Sequence, residues 1–274
     1  MSSNSLRFDP LTPIIGAEVH GIDLGEPLSD ATCEALHAGW MRHHVLFFRD
    51  QPLDIEQLKA FGRRFGEPHH HPMGDVEGHP GVLAIHADAN STTFAGRNWH
   101  TDVSCDELPP SASILHLHQV PDVGGDTIFG NMYAAFDALS PAFAAFLDGL
   151  EAHHSGRQRF AGYFGASEED SRDGKFPEAV HPVVRTHPVT GRKALYVNPV
   201  FTSHIVGIEP GESQAILGFL YRHIALPDFQ CRFRWRENSV AMWDNRCVVH
   251  AAIPDYLPQT RSGYRVTVVG ERPA

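Results

Sequence analysis

The chain has 274 residues, 42% hydrophobic and 20% charged, which is the composition of a folded globular protein rather than a disordered one. Its formal net charge of −11 opposes contact with a nucleic-acid backbone, so we expect no nucleic-acid partner. The four cysteines lack C-x-x-C spacing, which argues against a disulfide framework or a zinc knuckle. We also expect a cytoplasmic protein with no membrane partner, because the N-terminus lacks an apolar signal segment and no apolar run is long enough to span a bilayer.

The predicted elements are a minority of helices among many short strands. Capping residues and apolar spacing predict helices that begin at Asp30, at Asp54, at Ser140-Pro141 (running to Leu150) and over Pro210–His223. Apolar or alternating runs predict strands over His44–Phe48, Ser113–Val120, Gln230–Trp235, Ser239–Trp243 and Tyr264–Gly270. No repeat or linker divides the chain, so we predict one domain over residues 1–274. This pattern favours a mainly β fold with flanking helices, a β-sandwich or jelly roll.

One segment differs in character from the rest of the chain. Residues 166–175 are rich in charged side chains and contain almost nothing apolar. A solvated loop is the simplest interpretation, and a mobile lid over a site is the alternative.

His100, Asp102 and His250 are the candidate metal ligands. If the segment around His100 is a strand, its side chain and that of Asp102 point to the same face, since strand side chains alternate. His250 is the best third ligand from far along the chain. Two imidazoles and one carboxylate on one face form the triad that non-haem Fe(II) oxygenases use.

Other patterns have simpler interpretations. A lone histidine is usually structural or solvent-facing, and this is the expectation for His69, His70, His71, His116, His118, His153 and His154. His116 and His118 alternate on a predicted strand and could chelate a metal, but no recognisable carboxylate partner follows them. We interpret Asp126 as a turn residue, and the arginines at 232, 234 and 236 as one solvated strand face.

Four ordered motifs carry a resemblance to a known family. They are Asn98-Trp99-His100-Thr101-Asp102, Gly124-Gly125-Asp126-Thr127, Trp243-Asp244-Asn245-Arg246, and the stretch from His250 through Arg261 to Arg265. Together they resemble the TauD/TfdA family of taurine/α-ketoglutarate dioxygenases, which also contains phenoxyalkanoate-herbicide dioxygenases and alkylsulfatases. The similarity extends from about Gly16 to the end of the chain, and it implies a double-stranded β-helix fold.

The resemblance implies cofactors and their ligands. His100, Asp102 and His250 would hold Fe(II), and Arg261 would bind the distal carboxylate of 2-oxoglutarate with help from the Thr127 hydroxyl. A planar guanidinium matches a carboxylate, which fits that role independently. The implied reaction consumes O2 and 2-oxoglutarate, releases succinate and CO2, and hydroxylates a C–H bond.

The resemblance also implies a substrate site. Arg265 and His71 would bind an anionic substrate, between apolar walls formed by Phe160 and Phe201. The chain departs from the taurine pattern at three positions, where Gly74, Gly96 and Arg159 replace polar or small residues. These departures favour a larger anion with an apolar body over taurine, such as an alkyl sulfonate, an alkyl sulfate or an aryloxyalkanoate.

Two functions remain open from the sequence. The first is the dioxygenase, expected to be a homo-oligomer (dimer or tetramer). The alternative is a non-catalytic anion-binding or sensing protein on the same fold, because fold alone does not determine function. Retention of all three candidate ligands and both arginines favours the enzyme.

Overall fold

A computed structural model describes residues 6–92, 94, 96–160 and 176–274. Residues 166–175, interpreted above as a solvated loop with a lid as the alternative, lie outside the described residues. Among the helices that are described, none combines the length and apolar character that crossing a bilayer requires.

Strands dominate the described residues. They are β1 (Arg7–Pro10), β2 (Ala17–His20), β3 (Val45–Phe48), β4 (Val82–Ala87), β5 (Ala112–Gln119), β6 (Thr127–Asn131), β7 (Glu151–Ser155), β8 (Glu178–Pro182), β9 (Val184–Thr186), β10 (Lys193–Leu195), β11 (Thr202–Ile205), β12 (Gln230–Phe233), β13 (Ser239–Asp244), β14 (Val248–Ala252) and β15 (Arg261–Val268). A seven-stranded sheet has the order β1-β2-β3-β13-β5-β15-β4, and a three-stranded sheet has the order β12-β6-β14. A second three-stranded sheet, β11-β7-β8, and a β10-β9 pair complete the described pairings.

The helices lie outside the sheets. They are α1 (Asp30–His43), α2 (Ile55–Arg63), α3 (Met132–Asp137), α4 (Pro141–Leu147), α5 (Arg157–Phe160) and α6 (Pro210–Ile224), with a short 3-10 helix at Pro227–Phe229. The Asp54 side chain accepts a hydrogen bond from the Gln57 backbone N–H, and the Gln57 side chain accepts one from the Asp54 backbone N–H. This capping box determines where α2 begins.

The strand alternation of the large sheet separates two apolar layers. Ala112 and Ile114 of β5 pack with α1 and α2, through residues such as Leu36 and Phe61. The next residue along the strand, Leu115, faces the β12-β6-β14 sheet instead.

Aromatic residues fill the space between the two facing sheets. The Phe47 ring of the large sheet stacks on Phe233 at 3.9 Å between centroids, and Phe129 packs 5.6 Å from Trp243. This arrangement of two facing sheets with helices on the outer side is a jelly-roll core, as the strand-rich sequence predicted.

Most predicted elements are confirmed, with boundary corrections. Ser29, not Asp30, caps α1, because its side chain accepts from the Thr32 backbone N–H. The helix begun at Ser140-Pro141 ends at Leu147 instead of Leu150, where the chain turns into β7. The 232/234/236 face is exposed as predicted, but Asp126 is more than a turn residue, since its carboxylate accepts from Arg232 Nε at 2.6 Å.

Candidate active site

His100, Asp102 and His250 come together in the structure, with one potential ligand atom from each lying within 4.8 Å of the others. His250 is on β14, paired in register with Phe129 of β6. His100 forms an isolated β-bridge to it, with reciprocal backbone hydrogen bonds of 2.7 and 3.0 Å. The long sequence separation between the two histidines is therefore closed by backbone pairing.

The expected strand through His100 and Asp102 is reduced to that single bridge. The chain turns directly after it, and Val103 has a φ of +44°, which is unusual for a β-branched residue. The Asp102 carboxylate nevertheless reaches the histidine, with Oδ1 lying 3.7 Å from His100 Nε2. Strained backbone of this kind is typical of functional sites.

The protonation states of the three side chains suit a divalent metal. Burial lowers the pKa of His100 and of His250 and outweighs the opposing charge of Asp102, so both imidazoles are neutral at pH 7. Burial opposes ionisation of Asp102, but the Arg265 guanidinium, helped by the hydrogen bond from Ser113, holds the pKa of that carboxyl well below its usual range. His100 Nδ1 contacts the Asn98 carbonyl at 2.8 Å, which assigns the proton to Nδ1 and leaves Nε2 as the ligand atom. Two neutral imidazoles and one carboxylate are a donor set that fits Fe(II).

The three ligands open into a cavity of about 410 Å³, within the range of small-molecule sites. All nine predicted site residues line it: His71, His100, Asp102, Thr127, Phe160, Phe201, His250, Arg261 and Arg265. The structure therefore places the predicted ligands, cosubstrate residues and substrate residues around one space.

Arg261 is buried in the wall of this cavity. Its Nε donates to the Gly125 carbonyl at 3.1 Å, and its Nη2 lies 3.5 Å from the Thr127 hydroxyl. In the described part of the chain, no carboxylate lies within ion-pair distance of it. Burial lowers the pKa of Arg261 to about 10, so its charge is held at a cost that an incoming carboxylate would offset.

Arg265, on the same strand, already has a counter-ion. Its Nη1 donates to Asp102 Oδ1 at 2.7 Å, and its side chain is 10% exposed. No local pattern in the sequence indicates this ion pair, and Arg265 therefore has a counter-ion before any substrate binds. One guanidinium thus contacts the metal-binding carboxylate and lines the cavity.

The remaining substrate residues form an apolar corner. Phe160 and Phe201 pack at 5.9 Å between centroids, and the His71 ring meets Phe160 edge-on at 5.9 Å. Burial and the nearby Arg265 lower the pKa of His71 to about 3, so His71 is a neutral hydrogen-bonding group at pH 7.

The two departures to glycine differ in their surroundings. Gly96 lines the cavity, and a Cβ atom there would lie 3.3 Å from His100 Cε1. Gly74 does not line the cavity, and a Cβ there would meet nothing within 4 Å. Both have positive φ, +77° and +91°, so each glycine also has a backbone reason to be there. The prediction of a larger substrate is therefore supported by Gly96, which lines the cavity, and not by Gly74, which does not.

Ser113 and Asn245 also contribute to the site, although the sequence did not suggest a role for either residue. Ser113 donates to Asp102 Oδ2 at 2.6 Å, and Asn245 Nδ2 donates to the Ser113 hydroxyl at 2.8 Å. Asn245 belongs to a motif that the sequence had singled out, whereas Ser113 stood in a predicted strand with no distinguishing signal.

A second cluster of potential ligands, His187, Asp244 and Cys247, is also buried. Arg246 donates to both Asp244 oxygens at 2.8 Å, so a cation already occupies the carboxylate. Burial raises the pKa of the Cys247 thiol well above its usual range, which keeps it protonated. This cluster is a structural ion pair.

His116 and His118 join no third ligand in the described residues, so the alternative chelate has no support there.

Comparison with known proteins agrees with this geometry. The family model described as "Taurine catabolism dioxygenase TauD, TfdA family" matches residues 7–267. The chain therefore belongs to this family of 2-oxoglutarate-dependent dioxygenases.

Several relatives of this chain have named activities or solved structures. An alpha-ketoglutarate-dependent sulfate ester dioxygenase of Pseudomonas putida is 36% identical, over 98% of this chain and 91% of its own length. An alpha-ketoglutarate-dependent sulfonate dioxygenase of Saccharomyces cerevisiae is 34% identical, over 98% of this chain and 68% of its own. The crystal structure of a taurine dioxygenase from Burkholderia xenovorans superposes with a TM-score of 0.85 at 40% identity, covering 98% of this chain and 93% of the other.

Proposed function

We propose that this protein is an Fe(II)- and 2-oxoglutarate-dependent dioxygenase that hydroxylates a small anionic organic substrate, releasing succinate and CO2. The carrying observation is one cavity with the His100, Asp102 and His250 cluster on one wall and, on another, Arg261, which is buried with no carboxylate partner among the described residues. A protein that only sensed anions would have no use for the buried ligand cluster, and no observation favours that alternative.

Each group in the wall has a distinct task in this proposal. His100, Asp102 and His250 would hold Fe(II), which when bound supplies the O2 and redox chemistry. Arg261 would orient the cosubstrate by a paired contact to its distal carboxylate, with the Thr127 hydroxyl beside it. Thr127 is itself fixed in place, since Trp235 Nε1 donates to its oxygen at 2.9 Å.

The substrate would be an anion with an apolar body. Arg265 and His71 would bind the anionic group, and Phe160 and Phe201 would bury the carbon skeleton beside the metal and exclude water from it. Arg159 lines the same cavity and its charge helps to lower the pKa of His71. This added positive charge disfavours an ammonium group, which supports an alkyl sulfonate, alkyl sulfate or aryloxyalkanoate over an aminosulfonate such as taurine.

We further propose that residues 1–274 form one dioxygenase domain. The site supports this, because β15, near the end of the chain, pairs with both β4 and β5, and His250 pairs with His100. The homo-oligomeric state and the cytoplasmic location stay predictions, and light scattering after size-exclusion chromatography measures the former.

The test is a succinate-release screen with Fe(II), 2-oxoglutarate and O2 across alkyl sulfonates, alkyl sulfates and aryloxyalkanoates. Each anion is paired with a neutral analogue of the same carbon skeleton, such as the corresponding alcohol. We expect substrate-dependent succinate from at least one anionic class and little from its neutral partner. Absence of succinate above the substrate-free rate with every anion would contradict the proposal.

A further inference from the structure

We propose that Ser113 is a positioning residue, oriented by Asn245, that restricts Asp102 to binding the metal through a single oxygen. This inference rests on the proposed function, because it concerns the ligand set of the same metal. It adds Ser113 of β5 and Asn245 of the turn after β13 to the residues that determine how the site works.

The two oxygens of Asp102 have different surroundings. Oδ1 faces the cluster, 3.7 Å from His100 Nε2, and also accepts from Arg265 Nη1 at 2.7 Å. Oδ2 lies on the other side, where the Ser113 hydroxyl contacts it at 2.6 Å. The carboxylate is buried, so a hydrogen bond to the charged oxygen is a strong one.

The direction of the Ser113 hydroxyl is determined by Asn245. Asn245 Oδ1 lies 3.0 Å from Trp243 Nε1 and 3.2 Å from the Asp102 backbone N–H, and both of these groups can only donate. The amide oxygen must therefore face them, which leaves Nδ2 to donate to Ser113 Oγ at 2.8 Å. Because Ser113 Oγ accepts this hydrogen bond, its own hydroxyl hydrogen is directed at Asp102 Oδ2.

The backbone holds these groups in register. Ser113 is on β5, in register with Trp243 on the neighbouring β13, so Asn245 leaves the sheet beside it. Asn245 N–H also donates to the Ser111 carbonyl at 2.9 Å. Ser113 is fully buried and Asn245 is 1% exposed, so no water competes for these contacts.

The consequence concerns the open coordination positions. A carboxylate held at Oδ2 presents only Oδ1 to the metal, so the triad uses three positions and leaves the others for 2-oxoglutarate and O2. Without the Ser113 hydroxyl, Oδ2 would lose its partner and be able to turn toward the metal. A carboxylate bound through both oxygens would compete with 2-oxoglutarate for a coordination position.

Ser111 offers a matched control. It is a buried serine two residues before Ser113, and its hydroxyl donates to the Val268 and Val269 carbonyls, at 3.4 and 3.1 Å, and to no carboxylate in the described part of the chain. Ser111→Ala and Ser113→Ala thus remove the same atom from the same segment, but only the second removes a contact to the proposed ligand.

The experiment measures Mn(II) binding by electron paramagnetic resonance, and then 2-oxoglutarate binding to the Mn(II)-loaded protein by calorimetry. Because a carboxylate bound through both oxygens would take a position that 2-oxoglutarate needs, we expect Ser113→Ala to weaken 2-oxoglutarate binding to the Mn(II)-loaded protein by about tenfold or more, in line with the 10–100-fold that loss of outer contacts to metal ligands typically costs. Ser111→Ala should match wild type in both. Ser113→Thr keeps the hydroxyl and should restore most of the loss, which a purely steric role would not predict.

Three outcomes decide the matter. Ser113→Ala that binds 2-oxoglutarate as tightly as Ser111→Ala overturns the inference and leaves the proposed function intact. Wild type that binds neither overturns the proposed function itself. If Ser113→Ala does not fold, the nearly isosteric Ser113→Cys, a much weaker donor, takes its place, and unchanged affinities in that variant overturn the inference equally.

Discussion

Replacement of Arg261 by methionine tests the cosubstrate contact most sharply. Methionine keeps an unbranched stem and so avoids an empty cavity, but it removes the charge and every donor. The pKa of Arg261 is already lowered to about 10 by burial, which means that the folded protein holds this charge at a cost. We therefore expect the ligand-free variant to unfold at nearly the wild-type temperature.

The loss should appear when 2-oxoglutarate is added. A hydrogen bond to a charged group contributes about 1.5–3 kcal/mol, so losing the carboxylate contact should raise the Kd about 10–150-fold. At a concentration of 100 times the wild-type Kd, ligand binding stabilises wild type by about 2.7 kcal/mol, or roughly 5–10 °C in Tm. A variant with a 100-fold higher Kd would gain only about 0.4 kcal/mol, or roughly 1 °C.

The assay is thermal unfolding of the Mn(II)-loaded protein with and without ligand, using two ligands. 2-Oxoglutarate carries the distal carboxylate, whereas 2-oxopentanoate has the same chain length with a methyl group in its place. Wild type should distinguish the two ligands strongly and Arg261→Met should not. Arg261→Lys should recover only part of the difference, because an ammonium cannot make the paired contact. Equal Tm shifts with 2-oxoglutarate in wild type and Arg261→Met would refute the assignment.

Three further variants test the rest of the site. His250→Ala should abolish substrate-dependent succinate formation while circular dichroism stays that of wild type, and full turnover without added imidazole would contradict its role as a ligand. Arg265→Ala should raise the KM for the substrate at least tenfold, and it should also weaken Mn(II) binding because Arg265 contacts Asp102. It should leave the discrimination between 2-oxoglutarate and 2-oxopentanoate intact. An unchanged substrate KM would show that Arg265 does not bind the substrate. Gly96→Asn is chosen because asparagine tolerates a positive φ, and its side chain should fill space beside His100. We expect kcat/KM to shift in favour of smaller substrates. If the ratio of kcat/KM for short and long sulfonates does not change, Gly96 does not limit substrate size.

The local signals in the sequence predicted the parts of the structure that depend on neighbours in the chain. Asp54 correctly predicted where α2 begins, and the alternating arginines from Arg232 onward correctly predicted which face of β12 is exposed. The candidate ligands were recognisable because ordered motifs carried them, although the strand assumed through His100 proved to be one bridge.

The contacts that control charge in the site could not be predicted in the same way. The ion pair of Arg265 with Asp102 joins residues 163 positions apart, and the Asn245 contact to Ser113 spans 132. No local pattern indicates such partners, because they depend on which strands become neighbours in the sheet. Gly74 shows a different limit. Its departure from the taurine pattern suggested a role in the pocket, whereas its positive φ explains the glycine.

The most direct test of the central claim is an anaerobic titration of the protein with Fe(II) and then 2-oxoglutarate, followed by visible absorption. Chelation of 2-oxoglutarate to iron held by His100, Asp102 and His250 predicts a metal-to-ligand charge-transfer band that saturates at one cosubstrate per chain and is absent from His250→Ala. Failure of wild type to develop the band at saturating Fe(II) and 2-oxoglutarate would contradict the account.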